Sequence, residues 1–336
     1  MKTLLYIGNK LSSKNKTITT IETLGLALEG LNYKVLYASS FKNKIIRLLD
    51  MIYHVIRHAN HTNYVLIDTY STSNFYFALI ISQLCRLFKL KYIPILHGGN
   101  LPNRLKNSPK LSTYIFQNAH VNIAPSNFTK VAFESYGVDN VKVIPNSIDL
   151  EIYPVVQKNF SEIKLLWVRS FSEIYNPKLA ISILNQLKEK GLKASLCMVG
   201  PDNDGSLETT KQFAKDLNLD VTFTGKLSKK EWIEISKDYN YFINTTNYDN
   251  MPVSVIEAMA LGFPIISTNV GGLPFLINSN ENGILVSPKN ANLFVEAILQ
   301  IQNDKVLRDE LIKNTLNTAK NYNWKNIKSK WQMLLK

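Results

Sequence analysis

Residues 244–273 restrict the fold more than any other part of the chain. Residues 241–243 end an apolar run of strand type, and Tyr248-Asp249-Asn250 is a polar loop. Pro252 suits a first helical turn, where its missing N–H would be unpaired anyway. Residues 254–260 are helix-forming and are closed by Gly262 and Pro264, after which 264–267 restart a buried strand. The order predicts a βαβ unit whose helix begins where a strand ends, the usual ligand position in an open parallel sheet.

Two carboxylates mark that helix, Asp249 just before it and Glu257 within it, with seven residues between them. Asn250, Met251, Pro252 and Val253 lead into the first turn. The free N–H groups around this turn, those of Met251, Val253 and Ser254, have no intrahelical partner, so they form an anion-binding terminus. Spacing alone leaves a second account open, in which Asp249 only favours the helix dipole and Glu257 is a solvated helix residue.

The rest of the chain repeats the strand–helix alternation. Strands are expected at 3–8, 34–38, 64–68, 91–96, 121–124 and 141–144, with helices at 17–31, 41–57, 74–88, 111–118 and 128–136. The pattern restarts at 163–168 with helices 177–190, 208–217 and 228–238 and strands 194–199 and 221–223; later come a strand at 284–286 and helices at 290–303, 305–321 and 324–336. Two doubly wound α/β halves are predicted, residues 1–155 and 156–322, followed by a terminal helix at 323–336. Gly8 is the only glycine of the first strand-end loop, which excludes a dinucleotide fingerprint or a P-loop there. His97 stands at a strand end before two glycines, where backbone can approach a ligand closely. Arg169 directly follows the strand at 163–168, where its guanidinium can fork onto a phosphate.

With 45% apolar and 19% charged residues, the 336-residue chain is a packed protein and not a disordered one. Two cysteines in apolar surroundings read as buried thiols in a reducing compartment. No Cys/His spacing has the form of a zinc site, and no carboxylate or cysteine joins His54, His58 and His61, which therefore read as surface or half-buried histidines and not as ligands. The N-terminus lacks a signal-peptide core, and the longest apolar run, 75–84, has the length of a buried helix; a cytoplasmic protein is expected. The formal net charge of +13 asks for an anionic partner, yet no nucleic-acid-binding module is present. Residues 41–57 form a basic amphipathic helix with two readings: packing on the sheet, or docking on an anionic membrane surface.

Asp249 and Glu257, followed by AMALGFPII and Gly271-Gly272, resemble the Glu-x7-Glu region of retaining GT-B glycosyltransferases, and of glycosyltransferase family 4 above all. Asp replaces the first Glu here. Pro145-Asn146-Ser147-Ile148-Asp149 resembles the family's Pro-Asn-Gly-hydrophobic-Asp motif, with Ser147 in place of Gly. The resemblance implies two Rossmann-like domains facing across a cleft, the first for the acceptor and the second for a nucleotide-diphosphate sugar. It implies that the terminal helix crosses back to the first domain. It makes Asp249 and His97 the catalytic candidates at the donor sugar, and Glu257 the ribose ligand. Arg169 is placed on the diphosphate beside residues 250–253. Gly225 and Lys226 hold the base, and Gly8 and Asn9 face the acceptor. A Lys commonly lies five residues after that Arg, where this chain has Ile174. The implied reaction retains anomeric configuration, needs no cofactor or metal, and serves cell-surface polysaccharide synthesis with a glycan or lipid-linked acceptor. Two other readings are a non-hydrolysing sugar-nucleotide epimerase of the same fold and a basic membrane- or nucleic-acid-binding scaffold.

Overall fold

The computed structural model describes residues 1–11, 19–97 and 99–336. The expected start of the first helix at residue 17 and the expected close approach at Gly98 lie outside the described residues. The chain divides into two compact units, residues 1–145 with 329–336, and residues 146–328.

The first unit is built on a six-stranded sheet of β1 (Thr3–Ile7), β2 (Lys34–Ala38), β3 (Tyr64–Thr69), β4 (Tyr92–Leu96), β5 (Asn122–Ala124) and β6 (Val141–Val143). Its order is β2-β1-β3-β4-β5-β6, and every pairing is parallel. The connections are α1 (Thr20–Glu29), α2 (Lys44–His58), α3 (Asn74–Leu87), α4 (Leu101–Asn107), α5 (Pro109–Phe116) and α6 (Asn127–Glu134). One helix was expected at 111–118; instead Pro102 and Pro109 each open a short one. Proline at a first turn costs no hydrogen bond, so two such residues mark two starts. Asn43 caps α2 by accepting from the N–H groups of Ile45 and Ile46, and Ser126 caps α6 through Thr129.

The second unit repeats the plan with β7 (Ile163–Val168), β8 (Ala194–Val199), β9 (Thr222–Gly225), β10 (Tyr241–Asn244), β11 (Ile265–Thr268) and β12 (Ile284–Val286), in the order β12-β11-β10-β7-β8-β9. Its helices are α7 (Pro177–Glu189), α8 (Ser206–Asp216), α9 (Lys229–Ile235), α10 (Val253–Ala260), α11 (Ala291–Asn303), α12 (Lys305–Lys320) and α13 (Trp324–Leu334), whose last residues belong to the first unit. Both faces of this sheet are covered. Leu165 and Trp167 of β7 enter one core with α7 and α11, while Leu166 between them enters the other with α9 and α10. Successive strand residues point to opposite faces, so two buried faces require the near-continuous apolar run seen in β7. The two doubly wound halves expected from the alternation are therefore present, as six parallel strands each.

Candidate active site

In the second sheet, β7 and β10 are neighbours, but the chain leaves them in opposite directions, to β8 and to β11. Such a switch point opens a crevice at the carboxyl ends of the strands. Arg169 stands there, its backbone N–H donating to the Val199 carbonyl at 3.0 Å. Its guanidinium lies over the Tyr175 ring, 4.2 Å from the centroid, and pairs with the Asp249 carboxylate. Both side chains of the pair are 15% exposed. The Arg169 Nε is buried and has no hydrogen-bond partner among the described residues.

The loop that presents Asp249 is fixed from several sides. Thr245 accepts from Trp167 Nε1 at 2.9 Å and donates its hydroxyl to the Tyr175 carbonyl at 2.9 Å. The Asn247 N–H donates to the Ile174 carbonyl at 2.7 Å, and the Gly272 N–H donates to the Asp249 carbonyl at 3.0 Å. Gly271 has φ +55°, and a Cβ on it would stand 2.0 Å from the Asp249 carbonyl oxygen. The glycine pair seen in the sequence thus lets two strand-end loops touch, an approach that a side chain would prevent.

Asn250, Met251 and Pro252 are buried and run into α10, with Val253 partly covered at its start. Asn146 of the Pro-Asn-Ser segment donates to the Met251 carbonyl at 3.0 Å, which fixes the entry to the helix. Ser254 Oγ, in the first turn of α10, is buried and unpartnered among the described residues. One turn further on, Glu257 is buried, accepts from the Tyr153 hydroxyl at 2.8 Å and pairs with the Lys229 ammonium. Burial, and then the charge of Glu257, push the Tyr153 hydroxyl well above its ordinary pKa, so it remains a donor at neutral pH. Gly225, with φ +70°, ends β9, and the exposed Lys226 follows it.

Sequence reasoning missed Lys229 and Tyr153. Lys229 opens α9 behind the Ser228–Glu231 capping box, a purely local signal, and Tyr153 lies in an irregular segment. Neither position carries a pattern pointing to Glu257, which is 28 and 104 residues away. Ile174 contributes its carbonyl to the Asp249 loop, and its side chain brings no cation; Lys178 is exposed on α7.

In the first unit the switch point lies between β1 and β3. His97 follows β4, and its Nε2 is 2.7 Å from Asp68 Oδ1, which also accepts from the Tyr6 hydroxyl at 3.0 Å. Asp68 is buried, and its Oδ2 has no partner among the described residues. A Cβ on Gly8 would fall 2.5 Å from that oxygen, so the glycine makes room for the carboxylate. Gly8, Asn9, Asp68 and Tyr70 line one small pocket, and Asn9 accepts from the Arg47 guanidinium at 2.8 Å. The structure thus gathers Arg169, Asp249, residues 250–253 and Glu257 around the β7/β10 end of the second unit, and it places His97, Gly8 and Asn9 around Asp68 in the first.

Two doubly wound parallel units, with Arg169 and a helix start at the switch point of the second, are the Rossmann-like domains of the GT-B fold class. Residues 151–318, half of the chain, match the family Glycosyl transferases group 1, and residues 26–152 match Glycosyltransferase Family 4. The chain belongs to the group 1 glycosyltransferases. It is 24% identical over 179 residues to the UDP-Gal:alpha-D-GlcNAc-diphosphoundecaprenol alpha-1,3-galactosyltransferase of Escherichia coli. That match spans 50% of this chain and 46% of the relative. Among solved structures, sucrose-phosphate synthase from Thermosynechococcus elongatus superposes with a TM-score of 0.85 at 18% identity, covering 99% of this chain and 98% of the other. Anabaena HepE, in its complex with UDP-glucose, superposes with a TM-score of 0.79 at 16% identity, covering 100% and 99%. At these identities the structural likeness concerns the fold.

Proposed function

We propose that the protein transfers a sugar from a nucleotide-diphosphate sugar to a glycan or lipid-linked acceptor, with retention of anomeric configuration, in cell-surface polysaccharide synthesis. The observation that carries this reading is Arg169. It is a cation at the switch point, paired with Asp249 just ahead of the α10 N-terminus, and its Nε is left unpartnered. A diphosphate placed there receives charge-assisted hydrogen bonds from the guanidinium and from the free N–H groups of the first turn. UDP-sugars named for the E. coli relative and the HepE complex are consistent with such a donor.

On this reading residues 250–253 and Arg169 hold the diphosphate, Glu257 binds the ribose diol, and Gly225 and Lys226 take the base. Asp249 and His97 position the hydroxyls of the donor sugar, and Gly8 and Asn9 face the acceptor. The bond from the anomeric carbon to the leaving phosphate oxygen breaks while the acceptor oxygen bonds the same face, and the acceptor's proton passes to that phosphate. Arg169 and the helix terminus stabilise the developing charge, which leaves no step that needs a metal or a cofactor. The protein works at the cytoplasmic side, with an anionic membrane surface as a further partner.

Arg169→Ala removes a charge-assisted contact of about 1.5–3 kcal/mol and is expected to weaken nucleoside diphosphate binding roughly ten- to a hundred-fold in calorimetric titration. Asp249→Asn is expected to spare free nucleotide while lowering turnover. Unchanged affinity in the first variant overturns the phosphate assignment. Activity lost in a chelator and restored by a divalent cation overturns the metal-free reaction.

A further inference from the structure

Helix α2 is apolar on two sides. Its inward side packs Met51 and Val55 into the core of the first unit. Its outward side carries a second stripe, Ile45, Leu49, Tyr53 and Ile56, at helical spacing, with Ile45 71% exposed and none of the four less than half exposed. The neighbouring helix α3 does the same: Tyr76, Ile80 and Leu87 stand outward along it, with Phe88 beyond its end, and Leu87 is 75% exposed. Two adjacent helices with uncovered apolar stripes therefore mark an interaction face.

The charge around that face identifies its occupant. Lys42 and Lys44 precede and open α2, Arg57 closes it, and Arg86, Lys89 and Lys91 surround the end of α3; all six are exposed. Residues 70–91 contain no Asp or Glu, and α2 contains only Asp50, which lies 3.6 Å from His54 Nε2. Arg47 does not belong to the set. It is buried and donates to the carbonyls of Phe41 and Lys42 and to Asn9, so it braces the start of the helix.

We infer that the α2–α3 face of the first unit docks on an anionic phospholipid bilayer, with its apolar stripes in the headgroup–acyl boundary and its lysines and arginines on the lipid phosphates. Burial of exposed aliphatic and aromatic side chains supplies the non-specific part of such binding, and the cations supply its requirement for anionic lipid. A second copy of the chain fits less well, because a two-fold pairing of this face would bring its cations together with only Asp50 to offset them. The inference deepens the membrane part of the proposed function and rests on it for nothing else, since no residue of the β7/β10 site takes part.

The test is cosedimentation of the full chain with vesicles of phosphatidylcholine alone and of phosphatidylcholine mixed with phosphatidylglycerol. Binding is expected only to the mixed vesicles and is expected to fall as salt rises. Lys42→Gln with Lys44→Gln should weaken it about twenty-five-fold, at about five-fold per cation lost. Ile45→Asn with Leu49→Asn should weaken it more than ten-fold at unchanged charge, with an unchanged melting temperature because both side chains are exposed. Nucleoside diphosphate binding should be the same in both variants and in the parent, which separates failure of the docking surface from failure of the donor site. No binding to mixed vesicles, equal binding to neutral ones, or an Ile45/Leu49 variant that binds as the parent does would each overturn the inference. So would a dimer in sedimentation equilibrium that the Ile45/Leu49 variant dissociates.

Discussion

The Tyr153 hydroxyl donates a 2.8 Å hydrogen bond to Glu257, a carboxylate 104 residues further along the chain. Both residues are buried, and the Lys229 ammonium pairs with the same carboxylate oxygen. Glu257 is thereby held in one orientation inside the second unit. A carboxylate fixed in this way loses little further freedom when it accepts another hydrogen bond.

Tyr153→Phe is expected to lower nucleoside diphosphate affinity by about 0.5–1.5 kcal/mol, the worth of one neutral hydrogen bond. Glu257→Gln should lower it further, because the acceptor itself is altered. Isothermal titration of the two variants checks this order. An unchanged affinity for Glu257→Gln would remove the ribose from that residue.

Gly271→Ala should damage the site more than Gly262→Ala, although both glycines have positive φ, +55° and +71°. Each substitution imposes backbone strain of about 1–3 kcal/mol. At Gly262 the added methyl meets only side-chain carbons, the nearest at 3.5 Å, whereas at Gly271 it meets the Asp249 carbonyl oxygen at 2.0 Å. Thermal melting should report the larger loss of stability in Gly271→Ala, because its methyl meets backbone at 2.0 Å while that of Gly262→Ala makes only ordinary contacts. Turnover should fall at least ten-fold further in Gly271→Ala, and equal turnover would show that the Asp249 loop is free to shift.

Lys158 provides a pH signature of folding in the second unit. Its ammonium donates to the carbonyls of Ser236 and Tyr239 and lies 3.5 Å from the centroid of the Phe263 ring, where burial pushes it down to about 8. Below that pH both the folded and unfolded chains hold the proton, and stability has no slope from this group. Between pH 8 and the ordinary lysine value near 10.4, the unfolded chain holds a proton that the folded chain has released, so stability rises with pH. Melting temperatures of the parent relative to Lys158→Met should climb from pH 8 to pH 10. A flat difference would show that the two carbonyls and the ring keep the folded ammonium charged over that range.

Local sequence determined the order of strands and helices, the caps at Ser126 and Ser228, and the start of α10 behind Pro252, because each depends on neighbours within one or two turns. It also supplied the residues of the candidate site, from Arg169 through Asp249 to Glu257, as chemical types at strand ends and on one helix. The tertiary structure decided which of these groups meet. Parallel pairing carries no short-range code, so only the fold could set β7 beside β10 and bring Arg169 to Asp249. Lys229 and Tyr153 reach Glu257 from other segments for the same reason, and Asp68 comes to His97 across β3 and β4. Helical periodicity showed that α2 is amphipathic, yet it could not say which of two apolar stripes would meet the sheet. Packing chose Met51 and Val55 with the buried Arg47, and it left Ile45, Leu49 and Tyr53 facing outward, because a sheet surface covers only one side of a helix.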